Sequence, residues 1–159
     1  MTLAPALAEL FRRDLKRLIQ ELEAFPDDGS LWNTLPGVAN SAGNLALHLE
    51  GNLREYIGRQ LGGVPYHRQR DLEFSQKGVA REELVARAKA VEQLVPQVVG
   101  VLASQELEAP YPEDVLGGSM STGQFLVHLC GHLNYHLGQI NYLRRILSQG
   151  VSAASAGLG

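Results

Sequence analysis

Three histidines, His128, His132 and His136, follow one another at four-residue intervals near the end of the chain. Residues four apart on a helix share one face, a turn from each other. Two imidazoles so placed can aim at one ion, which is why His-x-x-x-His recurs in metal sites. Helical phase separates the three. At about 100° per residue, with His128 set at zero, His132 falls near 40° and His136 near 80°. Phe125 and Leu143 fall near 60°, Leu129 near 100° and Ile140 near 120° on the same wheel. His132 and His136 therefore sit inside an apolar stripe, and His128 lies at its edge. An imidazole aimed at a core needs a partner or bears the cost of its desolvation. One shared metal ion meets that need for both.

A mononuclear site usually takes a third protein ligand. His48 is the natural candidate, because it lies in the middle of another helical segment, whereas His67 belongs to a loop. On the wheel His48 flanks the stripe of Leu45, Leu49, Leu53 and Tyr56, with Asn44 one turn before it and Asn52 one turn after. A histidine at such a boundary can reach across an interaxial distance of about 8–10 Å; the wheel permits this placement without requiring it. Cys130 points away from the histidine pair and reads as a small packed hydrophobe. Glu55 and Glu73 are the nearest acidic residues in sequence and read as solvated or structural carboxylates. Asn134 and Tyr135 turn away from the core. No catalytic residue stands out beyond the ligands themselves. Three neutral imidazoles leave part of a divalent ion's coordination open, the pattern of catalytic sites. An ion so held lowers the pKa of a bound water or thiol, so both hydrolysis and thiol transfer are accessible chemistries.

Four helical segments must position these groups. The first is expected from Leu3 to Ala24, with Leu7, Leu10, Phe11, Leu15, Leu18 and Leu22 on one stripe. Phe25-Pro26-Asp27-Asp28-Gly29 ends it. The second is expected from Ser41 to Leu61, closed by Gly62-Gly63. The third runs from Ala80 to Ser104, and Pro96 within it predicts a kink or a break. The fourth opens at Ser121-Thr-Gly-Gln124, a capping-box pattern, and continues to about Gly150. The expected fold is all-α: a four-helix bundle over residues 1–149, with a long connection between helices 2 and 3 from Gly62 to Val79. Residues 150–159 are expected to be a flexible tail of small residues.

Composition narrows the function classes. Hydrophobic residues are 45% and charged residues 19% of a 159-residue chain, a globular balance at ordinary domain size. The 14 Lys and Arg against 17 Asp and Glu give a net charge of −3, which argues against nucleic acid as a partner. No apolar run is long enough for a membrane span. The N-terminus does not read as a signal peptide. The single cysteine cannot form an internal disulfide and fits a reducing compartment, so a cytoplasmic location is expected. A small-molecule substrate is expected from the open metal site.

The stretches Asn40-Ser41-Ala-Gly-Asn44-Leu-Ala-Leu-His48-Leu with Gly51-Asn52-Leu, and Gly131-His132-Leu-Asn-Tyr-His136-Leu-Gly138-Gln139-Ile140, resemble the two motif helices of the DinB/YfiT-like metalloenzymes. Tyr66 to Phe74, with Arg68, Arg70 and Glu73, resembles that family's connection after helix 2. The resemblance covers nearly all of the chain between Phe11 and Leu147. It implies a bundle that often forms a homodimer, and a site for zinc, nickel or a similar ion held by His48, His132 and His136. His128 is not a ligand in the motif, which leaves it, with Asn52, to the pocket or to contacts behind the ligands. Leu137 departs from the pattern, since many relatives have a basic residue there. Members of that superfamily with assigned activities resemble metal-dependent transferases that use a low-molecular-weight thiol such as bacillithiol or mycothiol, and many others have no known reaction. The alternatives are a non-catalytic, stress-associated metal-binding bundle and a metal-dependent hydrolase, because one fold hosts many functions.

Overall fold

A computed structural model describes residues 2–156, with side chains described as far as Gln149. Its helices are α1 (Leu3–Glu23), α2 (Ala42–Leu53), α3 (Arg70–Ser75), α4 (Arg81–Gly100), α5 (Ser104–Glu108) and α6 (Thr122–Ala156). A single 3-10 turn, Gly29–Trp32, precedes α2. No strand occurs among the described residues, only two isolated bridges, Pro110 to Ser121 and Val115 to Gly118.

The long helices form the bundle expected from the periodicity. α1 packs against α4 and α6, and α2 packs against the same two, so α1 and α2 take opposite corners. The stripe of α1 supplies Phe11, Leu15, Leu18 and Leu22 to the core; α4 adds Val91, Val95 and Val99, and α6 adds Phe125, Leu129, Leu133 and Ile140. Pro96 lies inside α4, yet the helix runs on to Gly100 without the break its missing N–H made plausible. The expected second helix is not uniform. After Leu53 the chain widens into a π-helical turn, Arg54–Arg59, in which the Gln60 N–H donates to the Glu55 carbonyl five residues back at 3.2 Å. Such turns are frequent at functional sites. The long connection holds the short helix α3 rather than open loop.

A short heptad echo fixes α6 against α1. Residues 131–135 and 138–142 read Gly-x-Leu/Ile-Asn-Tyr, seven apart. Asn134 Nδ2 donates to Asp14 at 2.6 Å and Asn141 Nδ2 donates to Glu21 at 2.7 Å, and these two carboxylates are also seven apart. Asp14 is almost wholly buried and takes a second partner, Arg13, at 2.8 Å. The register of the helix carrying the histidines is thereby set by polar pairs as well as by packing. The backbone is helical through Ala156, past the expected end at Gly150. Of the tail expected at residues 150–159, residues 157–159 lie outside the described residues.

Candidate metal centre

His48 sits one and a half turns into α2, whose start is fixed by Ser41: its hydroxyl accepts the Asn44 backbone N–H at 3.2 Å. His132 and His136 lie on consecutive turns of α6, begun by the same device, with Ser121 Oγ accepting from the Gln124 N–H at 3.2 Å. The bundle brings the three rings together. His132 Nε2 lies 3.1 Å from His48 Nε2 and 3.1 Å from His136 Nε2. One nitrogen from each ring falls within 4.8 Å of the other two.

The far side of two rings fixes their tautomers. His48 Nδ1 faces a Glu73 carboxylate oxygen at 2.9 Å, and His136 Nδ1 faces Gln139 Oε1 at 2.7 Å. Both partners accept, so each Nδ1 carries the proton and each Nε2 presents a lone pair. His132 then has one Nε2 proton to offer to two acceptors, and one lone pair is left facing others. A divalent cation takes all three lone pairs at once. The donor set and its tautomers therefore fit a divalent transition metal. Burial first, then repulsion from His136, His48 and His128, lowers the His132 pKa to about 4; His136 is also lowered, by burial and by His48, against its bond to Gln139. Both rings are thus kept in the neutral form that ligates.

Behind His48 stands a polar layer that the sequence concealed. Glu73 is 6% exposed, not solvated, and lies on α3 twenty-five residues from its histidine. Arg68 donates to both of its oxygens, at 2.7 and 2.9 Å. Burial alone would raise the Glu73 pKa, but the hydrogen bonds from His48 and Arg68 outweigh it and hold the carboxyl below its ordinary value. Two motif residues make this possible. Gly51 leaves the space that the Glu73 carboxylate fills; any Cβ there would overlap it. Asn44 Nδ2 donates to the carbonyls of Glu73 at 3.0 Å and Gln76 at 2.9 Å, tying α3 to α2. Only the Gly and Asn of the motif hinted that another segment lies across α2 here.

His48 and His132 open into a cavity of about 880 Å³ whose walls also include Asn52, His128, Arg59 and Arg70. Asn52 is buried there, one turn from His48. His128 is exposed and stacks on Phe125, with ring centres 5.9 Å apart; it is not among the converging nitrogens. Glu55 is at the cavity wall, accepting from Arg59 Nε at 2.8 Å. His67 is exposed on the same rim. Cys130 is buried outside the site, with its thiol pKa raised by burial first and by Asp14. Tyr135 is exposed beside His136, while Asn134 is spent on Asp14.

The DinB family model matches residues 3–149, which includes every residue of the triad and its supports. The chain belongs to the DinB family. A crystal structure of a DinB-like protein from Bacillus cereus ATCC 10987 superposes with a TM-score of 0.65 at 18% identity, covering 85% of this chain and 86% of that one. That likeness establishes the shared fold. No curated protein matches the sequence. Among the described residues of this DinB chain, no helix is long and apolar enough to cross a membrane.

Proposed function

We propose that the protein binds one divalent transition metal, zinc or nickel, through His48, His132 and His136 and acts as a metal-dependent transferase with a low-molecular-weight thiol. The observation that carries this is the convergence of three ring nitrogens, two of whose histidines, His48 and His132, line an open cavity. When bound, such an ion supplies Lewis acidity, lowering the pKa of a thiol to favour the thiolate at neutral pH.

The chain's own groups have distinct parts. Glu73 holds the His48 proton at Nδ1 and so keeps its Nε2 free to ligate; Gln139 does the same for His136. Arg68 holds Glu73 charged. Arg70 lines the cavity with its guanidinium over the Phe74 ring, 5.6 Å from the ring centre, and is placed to receive a carboxylate of a charged thiol. Phe74 in turn packs against His48, at 4.9 Å between ring centres, and screens that edge of the site from water. A homodimer belongs to the same proposal, supported by the exposed Tyr135, Tyr142 and Ile146 along α6.

The test is elemental analysis of protein purified without an affinity tag, followed by a screen of small thiols against electrophilic acceptors. One ion per chain and metal-dependent conjugation are expected. Metal without conjugation would favour the non-catalytic bundle. Ester or amide hydrolysis in its place would favour the hydrolase.

A further inference from the structure

Among the described residues, only two buried side-chain nitrogen or oxygen atoms lack a protein partner, Asn52 Oδ1 and His132 Nδ1. Both residues line the same cavity. Asn44, two turns earlier on the same helix, is the useful contrast. Its amide donates to two carbonyls, and its oxygen accepts from Ser41 Oγ at 2.8 Å and from Lys77. Asn52 is 7% exposed, so water does not bathe it, and its acceptor meets no donor. A buried, unmatched acceptor is disfavoured in folding and persists where something else supplies the donor.

Position says what that something is. Asn52 lies four residues after His48 on α2, so its amide and the His48 ring share one helix face. His48 and Asn52 therefore look into the cavity side by side, and His132 faces them from α6. We propose that Asn52 orients a ligand seated at the triad, accepting a hydrogen bond at Oδ1 from an N–H or O–H group of that ligand. The cavity then selects ligands that carry an amide-type N–H or a hydroxyl next to the atom that meets the metal. A leucine or alanine at 52 would leave the three histidines in place and remove only this choice. The inference rests on the metal reading above, and it goes further by naming the ligand's chemistry.

Hydroxamates supply the test, since their two oxygens chelate divalent ions while the nitrogen beside them bears a hydrogen or a methyl. Full-length protein loaded with cobalt is titrated with acetohydroxamate and with N-methylacetohydroxamate, the visible spectrum reporting binding. Wild type is expected to prefer the N–H compound by about tenfold, the worth of one hydrogen bond at the upper end of its usual range. Asn52→Leu should bring that ratio close to one while elemental analysis still finds one ion per chain. Should the leucine variant fail to fold, Asn52→Ala makes the same comparison. An equal ratio in wild type and variant, with full metal in both, overturns the role of Asn52 and leaves the metal reading standing. A wild type that takes up no metal overturns the three-histidine reading, and this inference with it.

Discussion

Two rings of the triad are held through the atom opposite the one they offer. His48 and His136 are held by Glu73 and Gln139, whereas His132 Nδ1 has no protein partner. The metal contribution of each histidine is separable by mutation. His132→Ala and His136→Ala should abolish stoichiometric metal binding, His48→Ala should weaken it severely, and His128→Ala should leave most of it intact, because the His128 ring stacks on Phe125 instead of converging. Competition with a chromogenic chelator measures all four; metal loss in His128→Ala with retention in His132→Ala would contradict the assignment. Glu73→Gln keeps the shape but removes the charge facing His48. It should lower metal affinity about 10–100-fold, the usual worth of a partner behind a ligating histidine. A Glu73→Gln protein with wild-type affinity in the same competition would show that Glu73 serves packing alone. His132 and His136 stand out in the sequence because their neighbours in phase are apolar, whereas His48, at the flank of its stripe, is pointed to by its mid-helix position and by the family resemblance. Glu73 was not, because a carboxylate twenty-five residues away in a connection carries no periodic signal of what it will cover.

The elements that carry the site were read with uneven success, for physical reasons. α1, α4 and α6 show unbroken 3.6-residue periodicity and appear close to their expected spans. Helix 2 was expected as one regular piece, but it relaxes into a π-helical turn at Arg54–Arg59, since side-chain periodicity says little about which carbonyl an N–H chooses. Pro96 was expected to kink or break its helix. It comes one turn before the end of α4, among buried core residues, and the packing of Val95 and Val99 carries the helix past it. The polar ladder between α1 and α6 also escaped the sequence reading, because Asn134 looks solvent-facing until Asp14 is known to lie opposite. It makes a prediction with an internal control. Asn134→Ala should destabilise by about 1–3 kcal/mol, since it strips a partner from a buried carboxylate. Asn141→Ala should cost less, because the Glu21 side chain is 12% exposed and keeps Arg144. Urea denaturation of the two variants checks the order, and the reverse order would mean that Asp14 is satisfied by Arg13 alone.

At the scale of the molecule, the site couples acid to stability, and under the proposed reading metal to both. His132 has a folded pKa of about 4, well below its ordinary value of about 6.5. The unfolded chain therefore takes up a proton first as pH falls, so the metal-free protein keeps its full stability above pH 6.5 and loses it progressively towards pH 4. The loss from this group is at most about 1.4 kcal/mol per pH unit. Glu73, held below its ordinary value, adds a loss of the same sign at lower pH. Thermal melts between pH 7 and pH 4 should show Tm falling steadily without metal; an unchanged Tm would contradict the burial assigned to His132. Metal binding should raise Tm at neutral pH, as any ligand of the folded state does.

Cobalt substitution tests the central claim, an open three-histidine metal site, most directly. The account predicts that the wild-type chain takes up one cobalt ion and shows visible d–d bands that a small thiol perturbs, with a new sulfur-to-cobalt charge-transfer band. It also predicts that His132→Ala shows neither. A chain that binds no cobalt, or binds it with a spectrum that millimolar thiol leaves unchanged, would contradict it.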